Sequence, residues 1–268
     1  MMDLSSYFAR IGYVGPRTAT LPTLRALHTL HPAAIPFENL DPLLGRPVPL
    51  NLDALQAKMV GSRRGGYCFE QNTLFRAVLE GIGFSVTGLA ARVVWMTPPD
   101  RQPNPRAHMV LKVDTDDGAY ITDVGFGGFL IAAPVKLAAG IEQQTPAGML
   151  RLAETDDFVT LQAQLASGWQ DVYRFTLEPQ FAIDYEVVNW FTSAHPNSRF
   201  RNNMLIERLT PEVRTSLFNK RRTLRHADGR VEETILSTPD ELAHSLNAEF
   251  NIEPPADAVT LFARLPEP

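Results

Sequence analysis

The spacing of apolar residues changes near residue 85 and again near residue 179, dividing the chain into three sections. In the first, Leu24, Leu27 and Leu30 recur at intervals of three, and Leu55, Met59 and Val60 follow Asn51-Leu52-Asp53. Both patterns set apolar side chains along one face of a helix. After Cys68, the residues Leu74, Phe75, Val78 and Leu79 keep three- and four-residue spacing until Gly81 and Gly83, and glycine at such a position ends helices. The pattern predicts a buried helix with Cys68 in its first turn.

Beyond residue 85 the period shortens. Residues 86–95, 107–113 and 119–124 are β-branched or alternating runs between proline-rich or Asp/Gly-rich turns, and 150–152, 158–161 and 171–175 extend them, with Gly148 and Gly168 as turn residues. These runs predict short strands. In the last section, residues 222–235 read as a hairpin around Asp228-Gly229, a pair suited to the left-handed backbone of a tight turn. Thr238-Pro239-Asp240-Glu241 opens a final helix, with threonine as cap, proline in the first helical position and the glutamate completing a capping box. No long flexible linker separates the sections, so they are expected to share one compact body.

Composition narrows the classes of function. The chain has 268 residues, 44% hydrophobic and 21% charged, enough apolar surface for a substantial core. A net charge of -5 provides no basic field for a phosphate backbone, so no nucleic-acid partner is expected. The Lys220-Arg221-Arg222 run with Arg225 reads as a solvated strand or loop edge. No segment approaches the length of a membrane span and the first residues lack the pattern of an export signal, so no membrane partner is expected. One cysteine excludes an internal disulfide framework and a multi-cysteine zinc site. We expect no metal and a reducing, cytoplasmic setting.

That cysteine carries the candidate chemistry. Arg63-Arg64-Gly65-Gly66-Tyr67 precede Cys68, and Phe69-Glu70-Gln71-Asn72 follow it. Neighbouring cations and the unpaired N–H groups of a helix start favour a thiolate. A cysteine nucleophile needs a base, and the base needs an orienting group. Of six histidines, His108 has the strongest argument, because it lies in the apolar run 107–113 and the next run carries Asp123. An even-length loop within residues 114–118 would project both side chains from one face; an odd-length loop would separate them unless a bulge restored the register. Gly125-Phe126-Gly127-Gly128 follows, and glycines there permit close approach by a ligand or another backbone. Its spacing fits neither a P-loop nor a dinucleotide fingerprint. On these residues alone, a Cys-His-Asp amide hydrolase, a transglutaminase-like enzyme and a non-catalytic binding protein all stay open.

The segment 63–72, His108 on its strand, and Asp123-Val124-Gly125-Phe126-Gly127, in that order, resemble the arylamine N-acetyltransferases. Ile35-Pro36-Phe37-Glu38-Asn39-Leu40 and the segment 189–200, with Ser193, Pro196, Ser198 and Phe200, extend the resemblance over most of the chain, nearest to the bacterial N-hydroxyarylamine O-acetyltransferases. The resemblance implies an α+β fold: a helical domain (1–84), a β-barrel-like domain (85–182) and an α/β lid domain (183–268), around a cysteine-protease-like core. It implies Cys68, His108 and Asp123 as a catalytic triad and a ping-pong reaction with acetyl-CoA as donor. The acceptor would be an arylamine, arylhydrazine or N-hydroxyarylamine. It further implies that Gly125, Phe126, Gly127 and Gly128 lie beside the pyrophosphate and acyl arm of CoA, that Phe37 and Phe200 line the acceptor pocket, and that Arg64 and Glu38 form a supporting charge pair. Ala107 stands where many relatives carry a threonine, so one polar contact to CoA is expected to be missing.

Overall fold

The computed structural model describes residues 1–98 and 100–266. The first section holds helices Leu4–Ile11, Leu21–Ala34, Leu40–Leu44, Leu52–Leu55 and Cys68–Ile82. The stretch around Met59 is helical as expected, but Gln56–Gly61 winds as a π-helix, a winding that apolar spacing alone does not separate from the α form. The Cys68–Ile82 helix buries Leu74, Phe75, Val78 and Leu79 and ends at Gly83, whose φ of 108° is left-handed. Gly81 lies inside its last turn.

The second section is an eight-stranded antiparallel sheet curled into a nearly closed barrel. From one edge it runs Val135–Lys136, Gly118–Thr122, His108–Thr115, Ser85–Val93, Gly168–Phe175, Val159–Leu165, Gly148–Glu154 and Gln143–Thr145. The Gln143 side chain bridges the two edges: its Oε1 accepts from Lys136 N–H at 2.7 Å and its Nε2 donates to Lys136 O at 3.1 Å. Leu89, Val110, Ile121, Leu150 and Leu161 pack within the sheet's core. Thr115 pairs with Gly118 and Leu111 with Thr122, so two residues, Asp116 and Asp117, form the hairpin loop. One step past Thr122, Asp123 stands opposite Val110 and on the face of His108, two residues along the strand. The even-length branch of the register argument therefore holds.

The third section contains helices Ala182–Ala194, Arg199–Asn202, Pro239–His244 and Ala258–Phe262 with four strands, Leu205–Leu209, Val213–Phe218, Arg221–His226 and Val231–Ile235. The expected hairpin is the last strand pair, and Thr238 Oγ1 caps the Pro239 helix by accepting from Glu241 N–H at 3.2 Å. A fifth strand completes this sheet from the first section: Phe37 pairs with Glu207 and Glu38 with Ile206. Leu40 and Leu43 pack with Met204, Ile206 and Leu246, while Tyr185 and Leu205 join the core built on the first helices. The first and third sections thus share their interiors, and the Cys68 helix lies between them and the barrel.

Candidate active site

Cys68 begins its helix and is only 4% exposed. The two glycines before it let the chain pass close to the Phe37–Glu38 strand, where Glu38 N–H donates to Gly66 O at 3.0 Å. A Cβ on Gly65 would lie 1.9 Å from Pro36 O, a distance no side chain can occupy. Glu70 Oε2 accepts from Tyr67 N–H at 3.1 Å and so closes the first turn. The Tyr67 hydroxyl donates to Asn189 Oδ1, which ties this turn to the Ala182–Ala194 helix. This close passage and a satisfied cap hold Cys68 at the helix start, where backbone N–H groups have no acceptor within the helix.

The barrel brings His108 and Asp123 to that point. Asp123 Oδ2 accepts from His108 Nε2 at 2.6 Å, and both side chains are buried. Nε2 being committed to Asp123, Nδ1 is the ring nitrogen left for Cys68. Burial opposes an imidazolium here, but the charge and hydrogen bond of Asp123, with a further contribution from Cys68, push His108 up to about 10. Cys68 Sγ lies 3.8 Å from Ala107 O, the residue before His108. The rings of Phe126 and Tyr173 pack on His108 at centroid distances of 5.1 and 5.3 Å.

The other residues singled out from sequence gather around this group. A Cβ on Gly125 would come within 2.8 Å of Cys68 Cα, and one on Gly127 within 2.4 Å of the Phe37 ring. Phe37 in turn meets Phe200 at 5.9 Å. Arg64 donates to Glu38 Oε1 from Nε at 2.8 Å and reaches Asp41 Oδ2 from Nη2 at 3.0 Å. The expected Arg64–Glu38 pair is therefore part of a larger buried cluster, in which Lys58 Nζ lies 2.7 Å from both Asp41 and Glu70. Burial raises Glu70 to about 7 against the opposing charge of Lys58. Among the described residues, no group of three or more His, Cys, Asp or Glu side chains could hold a metal ion, and no helix is long and apolar enough to cross a membrane.

A family model described as N-acetyltransferase matches residues 20–259. The arylamine N-acetyltransferase of Mycolicibacterium smegmatis is 42% identical over 255 residues, covering 94% of this chain and 92% of the relative. The chain belongs to the arylamine N-acetyltransferase family. The solved structure of the M. tuberculosis arylamine N-acetyltransferase matches with a TM-score of 0.94 at 38% identity, over 99% of this chain and 100% of that one. The Mycobacterium marinum arylamine N-acetyltransferase in complex with CoA matches with a TM-score of 0.93 at 37% identity, over 98% of each chain.

In this member of the family, several residues that sequence reasoning did not single out hold the site together. Asn72, one turn beyond Cys68, donates from Nδ2 to Met109 O at 2.8 Å and to Asp123 Oδ1 at 2.9 Å, and its Oδ1 accepts from Val124 N–H at 3.1 Å. One amide thereby joins the helix of Cys68, the strand of His108 and the segment of Asp123. Its spacing of four from Cys68, which places it on the same helix face, was the available signal. His28 Nε2 accepts from Asp123 N–H at 3.2 Å, and burial lowers that imidazole to about 4. Nothing in the sequence around His28 announces a partner 95 residues away. A cavity of about 190 Å³ opens on His108 between Phe69, Tyr185 and Val188, with Arg106, Gln180 and Asp184 at its wall.

Proposed function

We propose that this enzyme transfers the acetyl group of acetyl-CoA through a thioester on Cys68 to an aromatic amine, hydrazine or N-hydroxylamine. The observation that carries the reading is the buried line of nucleophile, base and carboxylate, with His108 Nε2 held 2.6 Å from Asp123 at the start of the Cys68 helix. In the first half-reaction the Cys68 thiolate attacks the thioester carbonyl. The bond from acetyl carbon to CoA sulfur breaks, and CoA leaves with the proton carried by His108. In the second, the amine nitrogen attacks acetyl-Cys68 and gives its proton to His108 as the thiolate departs.

Asp123 fixes the tautomer so that Nδ1 faces these protons, and its charge favours the imidazolium. The Cys68 backbone N–H, having no acceptor within its helix, is available to the oxyanion of each tetrahedral intermediate. The Gly125–Gly128 segment forms the wall beside the acyl group, Phe37 and Phe200 receive the acceptor ring, and Arg64 with Glu38 supports the entry to Cys68. The reading includes domains at 1–84, 85–182 and 183–268, a cysteine-protease-like core where the helix meets the barrel, and a cytoplasmic setting that keeps the thiol reduced. Initial rates measured against acetyl-CoA at several arylamine concentrations test it: parallel double-reciprocal lines are expected. Intersecting lines would mean that both substrates must bind before chemistry, against a covalent intermediate.

A further inference from the structure

The segment that passes between Cys68 and the barrel has little within it to fix its shape. It carries Gly125, Gly127 and Gly128, and glycine leaves the backbone freer than any other residue. Gly128 takes a left-handed φ of 128°. Phe129 N–H reaches Phe126 O only at 3.4 Å, beyond the usual length of such a bond.

Side chains from outside anchor both ends instead. Asp123 Oδ1 accepts from Gly125 N–H at 3.0 Å. At the other end, Glu207 Oε2 accepts from Gly128 N–H at 2.9 Å and its Oε1 from Leu130 N–H at 3.3 Å. Glu207 belongs to the Leu205–Leu209 strand of the third section and is 1% exposed. From the next strand, Arg214 Nε lies 2.9 Å from Glu207 Oε1, and its guanidinium stands 5.3 Å from the centre of the Phe129 ring. The acid and its partner thus grip the segment by backbone and by ring.

A carboxylate suits this position for a chemical reason. Two N–H groups and a guanidinium face its two oxygens, which accept without presenting a donor of their own. A glutamine would turn its amide NH2 toward one of those donors and leave that buried group unsatisfied. The stretch between the anchors is the part nearest the chemistry. Phe126 packs on His108, and a Cβ on Gly127 would come within 2.4 Å of the ring of Phe37, the residue that pairs with Glu207 in the sheet. Among the described residues, no hydrogen bond or ion pair joins Glu207 to Cys68, His108 or Asp123. Its influence on the reaction would pass through the segment it holds.

We propose that Glu207 is a positioning residue for acetyl transfer, which with Arg214 holds the glycine segment as a preformed wall against the acyl group at Cys68. The inference rests on the reading of Cys68 as acceptor of the acetyl group from acetyl-CoA. Misplacing such a wall by about 1 Å is enough to cost about 100-fold in rate.

The test follows acetylation of the full-length enzyme by acetyl-CoA in a single turnover, beside alkylation of Cys68 by iodoacetamide, which reads the thiolate without the acyl wall. In Glu207→Gln the maximal acetylation rate is expected to fall about 10- to 100-fold. The acetyl-CoA concentration that gives half of that rate, and the rate of alkylation, should change little. Glu207→Asp, which keeps the carboxylate on a shorter stem, should recover part of the loss. A maximal rate in Glu207→Gln equal to wild type, or a loss confined to the half-saturating concentration, overturns the assignment. Equal losses of acetylation and alkylation in both variants also overturn it, since they mark damage to the fold at large. Wild-type enzyme that acetyl-CoA leaves unmodified overturns the underlying reading of Cys68, and this inference with it.

Discussion

Asp123 is held from every side. Its Oδ2 accepts a hydrogen bond from His108 Nε2 at 2.6 Å, its Oδ1 accepts from Asn72 and Gly125, and its own N–H donates to His28. A carboxylate fixed in this way orients the imidazole without moving itself. Asn72 is the residue that couples it to the nucleophile's helix. Asn72→Ala is expected to lower kcat by about 10- to 100-fold through misplacement of Asp123 and His108, while KM for acetyl-CoA changes little. Because His108 is pushed up to about 10 mainly by Asp123 against the cost of burial, the same variant should move the alkaline limb of the kcat/KM profile to lower pH. A unit stability loss with an unmoved profile would mean that Asn72 is merely structural. At this scale the structure brings together three side chains that the sequence singles out. Cys68, His108 and Asp123 stand in local contexts that single them out; Asn72 shows only in its spacing of four from Cys68, and His28, whose partner lies 95 residues away, leaves no local trace.

Between elements, a buried chain of hydrogen bonds fastens the helices under the site. The Gln71 amide donates to Pro36 O at 2.8 Å and Gly66 O at 3.2 Å, so its Oε1 accepts from His31 Nε2 at 2.6 Å. His31 Nδ1 must then accept from the Tyr7 hydroxyl at 2.7 Å. Helices Leu4–Ile11 and Leu21–Ala34 are thereby linked to the loop that delivers Cys68, and His31 must stay neutral to serve both neighbours. Burial lowers it to about 3, opposed by the Gln71 hydrogen bond. An unfolded histidine binds its proton near pH 6.5. The contribution of a neutral His31 to stability is therefore fully present above that pH and is lost progressively as the pH falls toward 3. Replacing His31 by Gln removes one proton from this linkage. The stability advantage of wild type over His31→Gln in urea should shrink by about 1.4 kcal/mol per pH unit between roughly pH 6 and 4; parallel losses would contradict a buried neutral histidine. Helical spacing located the helices, since Leu24, Leu27, Phe75 and Val78 are all buried where their period puts them. The polar links between those helices carry no period and were not legible.

Across the whole molecule, helices predominate before residue 85, strands follow to Phe175, and both occur beyond it, but the joins between these stretches were hidden. Phe37 and Glu38 complete a sheet with Ile206 and Glu207, and a side chain from Gln143 bridges the barrel's edges. The first depends on residues distant in sequence, which local pattern cannot pair, and the second on one polar side chain reaching the backbone of Lys136. These joins are what bring Phe37, Cys68, His108 and Phe200 into one neighbourhood, and the resulting fold matches solved arylamine N-acetyltransferases over nearly its full length. The central claim is that Cys68 carries the acetyl group. Intact mass after mixing the pure protein with acetyl-CoA and no acceptor tests it most directly. The account predicts a gain of one acetyl group, absent in Cys68→Ala and slow to appear in His108→Gln, and discharged when an arylamine is added. An unchanged mass for the wild type at neutral pH, with product still forming once the amine is present, would contradict it.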